Sequence, residues 1–205
     1  MKWGIYLTTN NVPFLVYRMN KKYEMNIVIE TKRLLLRPLE LSDAEDLFAM
    51  DKNPEVHKYL WQNPSKSIEE SIKIIEYVRG QYINNGIGRF ATIIKDTNEF
   101  IGWTGIKYVT EQPENGNINF YDYGYRLNEK FWGKGYATEA SIAWLEYGFN
   151  EMKIEKMNAY THAENQASNH ILEKIGMSLI EKYLDKSNTF WNWWLMENNT
   201  SSLII

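Results

Sequence analysis

The spacing of apolar residues changes along the chain, and each change marks an element. The run IVIETKRLLLRPL, residues 27–39, is dense in Ile, Val and Leu and predicts a strand. Ser42 followed by Glu45 has the form of a capping box, so a helix is expected over LSDAEDLFAMDKN with Leu47 and Phe48 turned to the core. A second such pair, Ser67 with Glu70, opens a longer helix. There Ile68, Ile72, Ile75, Val78 and Tyr82 recur at helical spacing, and Asn84, Asn85 and Gly86 end it. Three strand-like runs follow, GRFATIIK, EFIGWTGIKYV and NINFYDYGYRL. The turns between them, DTN and EQPENG, suit antiparallel hairpins. A helix over 134–151, the strand KMNAYTHA, a short helix NQASNHILEKI stopped by Gly176, and the strands MSLIEKYLD and TFWNWWLME complete the pattern. This order predicts an α+β fold: a mixed, mostly antiparallel twisted sheet with helices on both faces. The helix from 134 joins two strands by a crossover, so those two are expected to run parallel.

Composition adds boundaries to this picture. The chain has 205 residues, enough for one domain with a sizeable core, expected over 25–198. Residues 1–24 read as an N-terminal extension, with an ordinary edge strand or helix equally open, and Met19 and Met25 as alternative starts. Residues 199–205 read as a loose tail. A net charge of −3 gives no basic balance that would point to nucleic acid, so none is expected as a partner. The absence of cysteine removes disulfides, thiolate metal sites and a cysteine acyl-enzyme, and no metal is expected. No apolar run is long enough to span a membrane, and the short apolar patch at the start is too brief for a signal peptide; a cytoplasmic location is expected.

The candidate chemistry begins at RLNEKFWGKGYATEA, residues 126–140. Gly133 and Gly135 would let the backbone turn tightly and bring its N–H groups close to a ligand. The loop sits between a strand and a helix, whose N-terminus offers unpaired donors and a positive dipole end; Lys130 and Lys134 add charge. On these residues alone, a diphosphate site and a plain structural turn are both open. A dinucleotide fingerprint is incomplete, because Thr138 stands where the third glycine would be, and the preceding strands are not repeated βαβ units.

YGYRLNEKFWGKGYATEA followed by MNAYTHAENQASNHILEKIGM resembles the GNAT superfamily of acyl-CoA N-acyltransferases. The segment IETKRLLLRPLELSDAEDLF is similar to the branch that holds the ribosomal-protein N-terminal acetyltransferases. The resemblance covers residues 27–197 and rests on three separated motifs in order. The family's loop opens on Gln or Arg, where this chain has Lys130. The resemblance implies acetyl-CoA as co-substrate, its pantetheine arm lying in a gap between the strands over 118–127 and 156–162. It implies a pyrophosphate held by backbone N–H groups of Trp132, Gly133, Lys134, Gly135, Tyr136 and Ala137, and a thioester carbonyl polarised by a backbone N–H near Leu127. Asn165 and Ser168 match the family's N-x-x-S. Asn165 would bond the pantetheine arm, with a helix N-cap as the other reading, and Ser168 would protonate the leaving thiolate, with an ordinary first-turn residue as the other.

Direct attack on a thioester needs an amine stripped of a proton. Asp122 is the first candidate base, with a substrate-orienting or solvated carboxylate as the alternative; His162 is second, and His57 and His170 read as surface. A water relay without a single strong base is also open. Trp61, Trp103 and Tyr108 are candidate acceptor-pocket residues, the segment 51–67 is the expected acceptor-side loop, and Trp191, Trp193 and Trp194 read mainly as core. The function expected is acetyl transfer to a primary amine, either a protein N-terminus or a small molecule. A non-catalytic CoA-binding module on the same fold is the alternative, and a homodimer is expected only by analogy.

Overall fold

A computed structural model of the chain describes residues 27–60, 62–111 and 113–198, together with the backbone of strands β1 (Trp3–Thr9) and β2 (Val12–Arg18). The other strands are β3 (Ile27–Glu30), β4 (Leu34–Pro38), β5 (Arg89–Ile94), β6 (Glu99–Val109), β7 (Phe120–Leu127), β8 (Lys156–His162), β9 (Ser178–Leu184) and β10 (Phe190–Glu197). The helices are α1 (Ala44–Asp51), α2 (Pro54–His57), α3 (Ile68–Asn85), α4 (Tyr136–Asn150) and α5 (Gln166–Lys174). All ten strands join one sheet in the order β1-β2-β3-β4-β5-β6-β7-β8-β10-β9, antiparallel throughout except for β7 and β8. The leading segment expected as an extension thus contributes a hairpin, β1 with β2, whose second strand pairs with β3. The expected tail, 199–205, lies outside the described residues.

Two expectations change. The run over 27–39 is not one strand but an antiparallel hairpin, β3 and β4. Thr31 breaks it: its backbone N–H donates to Leu34 O at 2.9 Å and its Oγ1 accepts from Leu34 N at 2.9 Å, closing a tight turn. The first capping arrangement also sits elsewhere than Ser42 and Glu45. A short 3-10 turn, Leu41–Asp43, precedes α1, and Asp43 accepts from Glu40 N at 2.8 Å. Asp43 wins because Arg37 grips the same carboxylate with two bonds, at 2.8 and 2.6 Å. The second helix starts where the pattern puts it, but without the bonds of a capping box, since the Ser67 side chain makes no cap bond. Ser67 is the N-cap of α3, Glu70 reaches back to Lys66 N at 2.9 Å, and Gly86 closes the helix in the left-handed region at φ 69°.

The faces follow from strand alternation. On one face Tyr123 bonds Ser141 of α4 at 2.7 Å, and Trp144 Nε1 donates to Thr104 Oγ1 at 2.9 Å. Phe90, Tyr123 and Trp144 are among the largest fully buried side chains here. On the opposite face Arg126 meets Asp51 at the end of α1. Of the described residues, no helix is long and apolar enough to cross a membrane.

Candidate active site

β7 and β8 pair in parallel only at Tyr121 with Met157 and Asp122 with Asn158. Beyond those residues β7 continues to Leu127 with no partner on that side. Asn128 N donates to Ile101 O at 2.9 Å, which fixes the alternation: even-numbered residues of β7 spend their N–H and C=O on β6. The odd-numbered residues therefore aim their backbone N–H groups toward β8; that of Tyr123 is taken up by the Asp122–Asn158 pairing, and those of Tyr125 and Leu127 open into the gap. Leu127 O is partly spoken for, accepting from Trp132 Nε1 at 2.7 Å.

The gap ends in the glycine loop. Gly133 and Gly135 both adopt positive φ, 71° and 79°, and no atom lies within 4 Å of where a Cβ on Gly133 would stand. Both are exposed, as are Trp132 and Lys134, and α4 begins at Tyr136 with Gly135 as its N-cap. Glu139 in the first turn of α4 places a negative charge where an anion would bind, yet that charge is occupied. Its Oε1 accepts from Thr31 Oγ1 at 2.6 Å and from Arg33 N at 2.7 Å, and its Oε2 pairs with Arg33 Nε at 2.6 Å. Burial raises the Glu139 pKa, but the bonds from Thr31 and Arg33 and the arginine charge outweigh it, and the net shift is downward. Arg33 also donates to Lys134 O at 2.9 Å and lies 4.4 Å above the Tyr136 ring. The β3–β4 turn thus braces the loop. The signal lay in the T-x-R of IETKRLL and the Glu of YATEA, but nothing in the pattern linked residues 106 positions apart. Lys130 pairs with Glu99 at 2.6 Å, both half-exposed, and stands at the rim of the loop.

Asn165 is the N-cap of α5, its side chain accepting from Ser168 N at 3.1 Å. The side chain of Ser168 interacts with the Tyr125 hydroxyl, without a hydrogen bond of regular geometry. Burial lifts that phenol to about 12. Ser168 and Tyr125 therefore converge on the α4–α5 side of the gap.

The opposite face of β7 is charged. Asp122, expected to be open to an acceptor, is 2% exposed and ion-paired with Arg89, with Lys107 Nζ at 3.7 Å. Arg89 also bonds Asp122 O at 2.9 Å and lies against Gly124, where a Cβ would come within 2.7 Å of its Nη2. Burial lowers the Lys107 pKa more than Asp122 restores it. Two residues along, Arg126 Nη1 donates to Asp51 Oδ1 at 2.9 Å. Trp103 lies between the two arginines, its ring 5.4 Å from the Arg89 guanidinium and 5.2 Å from that of Arg126. Tyr108 pairs with Tyr121, ring centroids 4.8 Å apart, on the other face. Trp103 and Tyr108 therefore do not share a pocket, because five positions along a strand reverse the side. Trp61 lies outside the described residues.

His57, expected at the surface, is buried, with its Nε2 at 3.7 Å from Asp51 Oδ1. Burial first, and the Arg126 cation second, lower its pKa below the ordinary 6.5. Two cavities open beside residues 58–60 and 62–63. One, of 390 Å³, is lined by Asp51, His57, Glu70, Lys73, Ile74 and Arg126 among others. The other, of 310 Å³, lies between Lys58, Tyr59 and Gln62 on one side and His162, Thr189 and Trp191 on another. His162 is held between Tyr59 and Trp191, at ring distances of 5.2 and 5.7 Å. Trp191, Trp193 and Trp194 are all buried.

A half-open parallel strand pair that runs into a glycine loop and a helix N-terminus is the arrangement the motifs imply, and the family comparison decides it. The model of the acetyltransferase (GNAT) domain matches residues 33–178. The chain belongs to the GNAT acetyltransferase family. It is an acetyl-CoA-dependent acyltransferase by that membership. Among its relatives is an uncharacterised N-acetyltransferase, p20 of Bacillus licheniformis, 32% identical over 71% of this chain and 79% of that protein. The FsC-acetyl coenzyme A-N(2)-transacetylase of Aspergillus fumigatus is 28% identical over 78% of this chain and 69% of that protein. A GNAT-family acetyltransferase crystal structure from Bacillus anthracis superposes with a TM-score of 0.70, covering 83% of this chain and 98% of that one at 25% identity.

Proposed function

We propose that this protein transfers the acetyl group of acetyl-CoA directly to a primary amine. The observation that carries the reading is the gap between β7 and β8, where the backbone N–H groups of Tyr125 and Leu127 have no strand to bond. A pantetheine arm, with its two amides, supplies the missing partners as an added strand would. The backbone N–H groups from Trp132 to Ala137, with Gly133 and Gly135 giving close approach, hold the pyrophosphate at the helix N-terminus. Lys130 and Lys134 add positive charge at the rim. A gap-facing N–H at Leu127 or just before it polarises the thioester carbonyl.

The amine nitrogen attacks that carbonyl carbon, the C–S bond breaks, and the sulfur leaves toward Ser168 and Tyr125. Tyr125 remains protonated through the neutral range, so its hydroxyl can pass a proton by way of Ser168 to the thiolate. Asn165 keeps Ser168 in place through the helix cap and orients the arm. The acceptor approaches from the sheet face that carries Trp103 of β6 and Arg126 of β7, beneath the segment that follows α1. Asp122, locked to Arg89, has the role of organising that face. A cysteine-free chain suits a reducing cytoplasm.

The test is thermal stabilisation by acetyl-CoA set against NAD. Stabilisation by acetyl-CoA alone supports the donor site; equal stabilisation by NAD, or none by acetyl-CoA, removes it.

A further inference from the structure

We infer that the cavity bounded by Asp51, His57 and Arg126 seats the acceptor amine, and that His57 takes the proton that the attacking nitrogen must lose. The inference rests on the acetyl-transfer reading above and extends it to the acceptor half of the site.

The cavity is built for a polar guest. Three side-chain atoms at it, Asp51 Oδ2, His57 Nε2 and Arg126 Nε, are buried without a hydrogen-bond partner. Asp51 is 1% exposed and His57 7%. Buried polar atoms are ordinarily satisfied, so three orphans around one cavity of 390 Å³ point to a ligand that completes them. Asp51 is also poorly placed for stability alone. It ends α1, where the helix dipole disfavours a negative charge, and Arg126 offsets that with only one of the two carboxylate oxygens. The free Oδ2 is an acceptor suited to an ammonium group. Ser65 N donates to Asp51 O at 2.9 Å, which folds the acceptor-side loop over the cavity.

The position relative to the donor is set by β7. Arg126 on the cavity side is followed by Leu127, whose N–H faces the gap. The cavity and the donor gap therefore share one strand and lie one residue apart along it.

The charged groups around His57 are Asp51 from α1, Arg126 from β7, Glu70 and Lys73 from α3, and Glu55 and Lys58 beside it in the chain. Arg126 and Lys73 oppose a second cation, whereas Asp51 and Glu70 favour it. Burial tips this balance and, with Arg126, lowers the His57 pKa below its ordinary 6.5, which favours the neutral ring at pH 7. The ammonium gives one proton to His57 Nε2, and that proton reaches solvent when the product leaves the cavity. The nitrogen forms the new bond to the acetyl carbon, and the C–S bond breaks. The second proton lost from nitrogen ends on the CoA sulfur. The products are the N-acetyl amine, CoA thiol and a proton.

The experiment uses the full chain with acetyl-CoA and three probe amines: putrescine, a dipeptide amide and phenethylamine. In the wild type, kcat/KM for the best probe is expected to rise with pH through an apparent pKa below 6.5, in addition to the rise from the amine itself. His57→Gln is expected to lose that lower limb and about 100-fold in kcat/KM, with acetyl-CoA Kd unchanged. Asp51→Asn is expected to raise KM for the amine more than it lowers kcat. A His57→Gln enzyme within about threefold of wild type and with the same lower limb overturns the inference and leaves the acetyltransferase reading intact. Failure of the wild type both to bind acetyl-CoA and to acetylate any probe overturns that reading itself. Should His57→Gln not fold, imidazole NMR of the wild type decides the matter, since the chain has three histidines. Perturbation of the His57 ring by the best probe supports the seat, and no perturbation overturns it.

Discussion

The two faces of β7 are built on different principles. On the α4 side the working parts are backbone: N–H groups left unpaired by a splayed strand, and a loop whose glycines clear the way for a ligand. On the other side they are charged side chains held in pairs, Arg89 with Asp122 and Arg126 with Asp51, with Trp103 between the arginines. Within that second face the two carboxylates also differ. Asp122 is enclosed by Arg89 and Lys107 and almost wholly buried. Asp51 has a free oxygen at a cavity. A backbone site can grip a donor common to many enzymes, because it reads shape and charge alone. A side-chain site varies with each chain, and so can select the acceptor.

Substitutions that separate the faces test this division. The largest effect is expected from Asp122→Asn, which leaves Arg89 buried without its counter-charge and should cost about 3–5 kcal/mol of stability. Thermal melting checks it; a melting temperature near wild type would mean that Asp122 is not the enclosed structural acid described above. Next comes Glu139→Ala, which releases Thr31 and Arg33 from the loop and should cost about 1–3 kcal/mol and weaken acetyl-CoA binding without changing amine KM. Because the folded pKa of Glu139 is depressed, its contribution is present above the ordinary carboxylate range and is lost as pH falls through the folded value. Wild type and Glu139→Ala should therefore begin to converge as pH falls below 4.5 and come together below the lower folded value, and a gap that does not narrow as the pH falls from 4.5 argues against the brace. Gly133→Ala is expected to introduce about 1–2 kcal/mol of backbone strain at its positive φ and to weaken acetyl-CoA several-fold, read by calorimetry. The smallest change belongs to Lys130→Ala, whose exposed pair with Glu99 contributes at most about 1 kcal/mol. A few-fold rise in acetyl-CoA Kd is its expected mark, and a change in amine KM would blur the two faces.

The same division explains what could be read from the chain. The loop, the crossover helix and the strands around them were legible because glycines, caps and apolar spacing are local signals. Gly133, Gly135, Ser67 and Gly86 stand where those signals put them. The hairpin hidden in 27–39 was not legible, because one Thr31 side chain turns a run that is apolar on both sides of it. The acceptor face was legible least. That Asp122 would meet Arg89, 33 residues away, depends on strand pairing that no short pattern records. His57 follows a proline-started turn in a polar stretch, and only the packing of α1 and β7 buries it. Tyr108 and Trp103 share a strand and a chemistry but not a face, which register alone decides.

The most direct measurement is the balance of acetyl transfer: mass spectrometry of a primary-amine and peptide panel incubated with acetyl-CoA, with free CoA thiol titrated in the same tubes. The expected result is an acetylated amine with one thiol released for each acetyl group transferred, and neither product without the protein. Acetyl-CoA that binds but is never consumed, with every amine in the panel unchanged, would contradict the account.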